Sequence, residues 1–161
     1  MKHANEHTVD LEHDTRIMLG WREWVTLPEL CLPAIKAKVD TGAKTSALHA
    51  FEVEKFRRDG LEYVRFGMHP LQTRTDLVVE CEARLLDERL VSDSGGHSEM
   101  RFVIETELQI CEHRWRVELT LTNRDSMRFR MLLGRRAMEN RAIVDPEASF
   151  NCGKLDAKDL Y

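Results

Sequence analysis

Ile35-Lys36-Ala37-Lys38-Val39-Asp40-Thr41-Gly42-Ala43-Lys44-Thr45-Ser46-Ala47-Leu48-His49-Ala50 is the stretch on which the fold of this chain turns. Ile35, Ala37 and Val39 alternate with Lys36 and Lys38, the period of a half-buried strand. That strand runs into Asp40, and Gly42 lets the backbone turn sharply. A second strand then continues to Ala50. A carboxylate is thus presented at the tip of a tight loop, flanked by small groups and fed by an apolar strand.

Working outward, the same alternation recurs. Ile17 to Leu27 reads as the first strand, and Pro28 and Pro33 bracket a turn-like link. Phe51–Phe56 and Leu61–Phe66 flank Arg58-Asp59-Gly60, which predicts a hairpin. Gly67-Met68-His69-Pro70 breaks it. Leu77 to Leu85 is another strand. Phe102 to Ile110 and Trp115 to Leu121 form a second hairpin about Cys111-Glu112-His113. Met131 to Gly134 is a short buried strand, Arg135 to Asn140 a single helical piece, and Ile143-Val144 a last short strand. Many short strands with one short helix predict an all-β fold, closed into a barrel. No internal repeat is present. The domain spans 17–150. Residues 1–16, polar and carrying His3, His7 and His13, are expected to be a disordered tail, and 151–161 a loose C-terminal tail.

At 161 residues with a net charge of −4, the chain is one globular domain with charges of both signs interspersed. No basic stripe suggests nucleic-acid binding. Cys31, Cys81, Cys111 and Cys152 are scattered, which argues against a zinc ribbon and a disulfide scaffold. Residues 1–30 hold no apolar run of signal-peptide length, and no long apolar run suggests a membrane span. The expected setting is the cytoplasm, with reduced thiols.

Asp40-Thr41-Gly42-Ala43 after an apolar strand resembles the active-site loop of aspartic proteases. The longer string Asp40 to Ala50, with Leu132-Leu133-Gly134-Arg135 downstream, resembles a bacterial retropepsin-like family sometimes described as ATP-dependent zinc proteases and associated with RimK-type ATP-grasp ligases. The resemblance runs from about Leu19 to Phe150. It implies a closed retropepsin-like barrel in which Asp40 is catalytic. Thr41 would bond across a dimer axis, while Gly42 and Ala43 would border the substrate. Leu132, Leu133 and Gly134 would pack beneath the loop. Arg135 matches an arginine whose family partner is an aspartate, but Lys44 occupies that position here. Retropepsins also close a glycine-rich flap. Ser94, Gly95 and Gly96, within Leu90–Met100, are the candidate, and an ordinary solvent loop explains the same residues. Asp93-Ser94-Gly95 also matches the catalytic triplet, yet only one aliphatic-aliphatic-Gly element exists to support such a loop.

Hydrolysing an amide needs an activated water and a protonated leaving nitrogen. Two carboxylates sharing one proton supply both. The chain has one such loop, so a symmetric homodimer is expected to bring Asp40 against its own copy. Neither a metal nor any other cofactor is expected: no His-Glu-x-x-His and no phosphate-binding Gly-x-x-x-x-Gly-Lys occurs, and the histidines read as surface or satisfied core residues. The expected function is an aspartic-type peptidase, a hydrolase acting on a peptide or protein. The alternatives are a non-catalytic peptide-binding module on the same fold and a metal-dependent hydrolase. The resemblance implies association with an ATP-grasp ligase that adds glutamate tails, and trimming of such tails. Lys44 beside the site would favour an acidic substrate.

Overall fold

The computed structural model describes residues 15–92, 95–123 and 128–161. The chain opens with β1 (Ile17–Leu19) and β2 (Arg22–Leu27), one predicted strand split at Gly20-Trp21. A single 3-10 turn over Pro28–Leu30 leads into β3 (Leu32–Asp40). As the alternation requires, Ile35, Ala37 and Val39 are buried while Lys36 is half-buried and Lys38 exposed. Then come β4 (Ser46–His49), β5 (Phe51–Arg58) and β6 (Leu61–Met68). The β5–β6 turn places both Asp59 and Gly60 at positive φ, which matches the right-handed strand twist. β7 (Val79–Ser92) and β8 (Ser98–Ile110) are the longest strands, and β9 (His113–Thr122) follows. Last come β10 (Met131–Gly134), the one-turn helix α1 (Arg135–Met138) and β11 (Ala142–Val144).

Among the described residues, the strands β2-β3-β10-β4-β9-β8 pair in that order, and a β2–β8 contact at Thr26 and Gln109 closes them into a six-stranded barrel. β7, β6 and β5 extend the sheet outward from β8. β1 pairs in parallel with β11 as a separate ribbon. The barrel interior is filled by Leu27, Ile35, Leu48, Ile104, Leu108, Leu119 and Met131, all fully buried. Trp115 ties α1 to the barrel wall by donating its indole N–H to the Ala137 carbonyl at 2.9 Å.

Two expectations fail here, for one reason. The segment after Phe150 is docked, not loose. Glu23 occupies an inward position of β2 and is fully buried. Its carboxylate accepts backbone N–H bonds from Gly20 (2.6 Å), Asn151 (3.1 Å) and Cys152 (3.1 Å), so a buried anion is satisfied only when the C-terminal segment lies against it. Tyr161 anchors the far end, its hydroxyl donating to the Ala34 carbonyl at 2.5 Å. Burial pushes that phenol up to about 12. The same docking carries Cys152 to Cys111, and the two form a disulfide, so these two thiols are not reduced as expected. Cys31 and Cys81 are free. The N-terminal tail expected over 1–16 falls almost wholly outside the described residues.

Candidate active site

Asp40 ends β3 and is paired in parallel register with Gly134 at the end of β10. Its Oδ1 accepts the backbone N–H of Gly42 at 2.9 Å and of Ala43 at 3.2 Å. The aspartate thus folds its own loop, as Asp does at such turns. Among the described residues, the other oxygen has no partner.

The loop is held from below by the chain that follows β10. The first N–H groups of a helix lack intrahelical acceptors. Here Arg135 N–H donates to the Ala43 carbonyl at 2.7 Å and Arg136 N–H to the Lys44 carbonyl at 3.1 Å. Gly134 N–H donates to the buried Ser46 hydroxyl at 2.9 Å. Leu133 is buried beside Val39, its neighbour in the parallel register, while Leu132, on the opposite face of β10, is half-buried and lines a cleft. Arg135, whose expected carboxylate partner is replaced by Lys44, donates instead to the Thr41 carbonyl at 3.2 Å. It holds the loop through an uncharged acceptor. Thr41 itself is exposed.

The cleft beside Asp40 has a volume of about 860 Å³. One wall is the Gly42–Thr45 loop. The β7–β8 hairpin contributes Arg89, Leu90, Val91 and Ser92 to the lining. Gly95 and Gly96 lie at the hairpin end, exposed, with Gly96 at φ +80°. Ser94 of the flap candidate, and Asp93 of the alternative triplet, lie outside the described residues. Among the described residues, Asp40 is the one acid lining the cleft, and Lys44, Arg89, Arg101 and Arg136 are the other charged residues there. Arg89 and Arg101 face each other across β7 and β8. Arg89 is paired with Asp87 and Glu118, each at 2.8 Å, and Arg101 with Glu99 at 2.5 Å. Lys44 and Arg136 have no ion-pair partner among the described residues. Lys44 alone was singled out in the sequence. The three arginines reach the cleft through the pairing of β7 with β8, which sets Arg89 opposite Arg101, and through the turn after Gly134, contacts that leave no linear mark.

No cluster of three or more His, Cys, Asp or Glu side chains suited to a metal ion occurs among the described residues. Cys111, two residues before His113, is occupied by its disulfide.

Residues 18–154 match the RimB-like family, described as the retropepsin-like aspartic endopeptidase RimB. The chain belongs to this family. Curated relatives of this RimB-like chain are named probable alpha-L-glutamate ligases. One from Shewanella pealeana is 46% identical over 92% of this chain and 33% of its own length. One from Desulfotalea psychrophila is 48% identical over 89% of this chain and 31% of its own length. The RimB-like chain therefore spans about a third of the curated relatives it matches. Among solved structures, protein Lpg0085 of Legionella pneumophila, of unknown function, superposes with a TM-score of 0.71 at 26% identity, covering 84% of this chain and 98% of that one. Among the described residues, no helix is long and apolar enough to cross a membrane.

Proposed function

We propose that this protein is an aspartic-type peptidase that cuts acidic peptides as a homodimer, with Asp40 from each subunit activating one water. The observation that carries the reading is the cleft. Among the described residues, its one acid is a loop-tip aspartate with one carboxylate oxygen unbonded, and its other charged groups are all cations. Two such carboxylates about 3 Å apart cannot both ionise, so one stays protonated. The charged one takes a proton from water as that water attacks the carbonyl. The neutral one hydrogen-bonds the carbonyl oxygen, and the leaving nitrogen is protonated as the C–N bond breaks. Thr41, exposed beside the aspartate, would bond across the dimer axis. The β7–β8 hairpin would close over the bound peptide and exclude water.

Lys44 and Arg136 would receive the carboxylates of the substrate. Relatives named for glutamate ligation support α-linked glutamate chains as that substrate, with the RimB-like unit trimming what a ligase adds. The proposed setting is the cytoplasm; the Cys111–Cys152 disulfide is the observation against it, since such bonds are rare in reducing compartments. The rival reading, a peptide-binding module without turnover, rests on the single Asp loop per chain and holds if two copies of Asp40 do not meet.

The test is α-glutamate oligomer cleavage and solution mass, measured on wild type and Asp40→Asn. Asparagine keeps the shape and cannot share the proton. The expected result is a dimer in both and a turnover loss of roughly 10²–10⁴-fold in the variant. Activity that survives the change, or that a chelator abolishes instead, overturns the aspartic mechanism. A monomer without activity favours the binding module.

A further inference from the structure

A second hollow, of about 700 Å³, opens at the end of β4 and β10 away from Asp40. Gly134 pairs with Asp40, and Arg130 lies four residues before Gly134, so roughly 13 Å of strand separates the two places. Arg130 is only 9% exposed. Its Nε–H donates to the Leu71 carbonyl at 3.4 Å, and Nη1 donates to His49 Nδ1 at 3.1 Å. A guanidinium can only donate, so His49 Nδ1 is the acceptor and its Nε2–H donates to Asn123 Oδ1 at 3.1 Å. Both partners of this buried cation are uncharged. Among the described residues no carboxylate reaches it and none lines the hollow. Arg128, exposed at the mouth, adds a second cation. Burial lowers Arg130 from the ordinary guanidinium range.

A buried cation with no counter-charge among the described residues is an expensive arrangement. A planar fork of this kind matches a carboxylate or a phosphate. A third hollow borders both this place and the Asp40 cleft. It shares Leu132 with the cleft and Gln72 and Arg128 with the Arg130 hollow, and its charged lining is Arg22, Lys38 and Arg128. The lining of this third hollow is therefore also free of acids among the described residues.

We infer that the Arg130–His49 hollow is a separate oxyanion site that holds a side-chain carboxylate of an acidic peptide several residues from the bond cut at Asp40. The identity of the ligand rests on the acidic-substrate reading above; the oxyanion site rests on Arg130. An extended peptide needs about four residues to span the two places. Short acidic peptides cannot occupy both, and longer ones can.

The full chain carrying Asp40→Asn binds peptide without cutting it, so binding is read alone. The probes are α-linked octaglutamate, α-linked triglutamate and inorganic phosphate. The readouts are affinity by calorimetry and the ring signals of His49 and His69 by NMR. Octaglutamate is expected to shift both rings and to bind about tenfold more tightly than triglutamate. Adding Thr73→Glu, at an exposed position on the rim, is expected to abolish the shifts and the tenfold difference with an unchanged unfolding midpoint. Ring signals that no probe moves overturn the site. Shifts with phosphate and none with octaglutamate overturn the peptide ligand. The two readings fail separately: octaglutamate that fills the hollow and is not cut by wild type overturns the peptidase, whereas cleavage without any ring shift overturns the hollow.

Discussion

Gly134 and Gly42 border the same aspartate and are constrained in different ways. A Cβ on Gly134 would lie 2.5 Å from the Thr45 carbonyl carbon and 2.6 Å from its oxygen, against backbone that cannot swing aside. Gly134→Ala is expected to destabilise the protein by about 1–3 kcal/mol, read as an earlier denaturation midpoint, because it forces the Asp40 loop off β10. A Cβ on Gly42 would meet only Asp40 Oδ1, at 3.2 Å, and Gly42 does not sit in the left-handed region. Gly42→Ala is expected to change stability by less than about 0.5 kcal/mol. Equal losses in the two variants would refute this account. The turn expected of Gly42 comes instead from Asp40, whose carboxylate accepts the N–H groups of Gly42 and Ala43. Asp40, Gly134 and Arg135 were legible because each matches a linear pattern. The acceptor of Arg135 was not, because a backbone carbonyl leaves no mark in a sequence.

The β7–β8 hairpin is the element that lines the cleft with Arg89, Leu90, Val91 and Ser92. Leu90 and Met100 are cross-strand partners near its end, 66% and 62% exposed. Two large apolar side chains in water at the rim of a cleft suit a lid that covers a peptide. Replacing both with Ser is expected to lower kcat/KM for glutamate oligomers several-fold, with an unfolding midpoint within about 0.5 kcal/mol of wild type. Unchanged kcat/KM would remove the hairpin from the mechanism. The β5–β6 and β8–β9 hairpins were readable from apolar alternation and turn residues. The full length of β7 was not. Asp87-Glu88-Arg89 interrupts the alternation, and the register shifts between Leu85 and Asp87, so the pattern stops before the strand does. Hydrogen bonds to β8 carry it on to Ser92.

At the scale of the whole molecule, the C-terminal segment closes the structure against β2 and β3. The Cys111–Cys152 bond spans 41 residues. Loop-closure entropy for that length is worth up to about 4 kcal/mol. A thiol reductant is therefore expected to lower the denaturant midpoint of wild type and to leave that of Cys152→Ser unmoved; a wild-type midpoint indifferent to reductant would show that Glu23 and Tyr161 suffice. The sequence by itself determined the strands, the hairpin turns, the one short helix and the aspartate loop. Each of these is written in neighbours two to four residues apart, where side-chain period and turn chemistry act directly. Only the tertiary structure decided the rest: the barrel closure of β2 on β8, the parallel pairing of β3 with β10, the cations gathered around Asp40, the buried charges of Glu23 and Arg130, and the docked C-terminus. These depend on which distant residues pack together, and a buried Glu or Arg looks like a surface one until the groups that satisfy it, or fail to, are brought alongside.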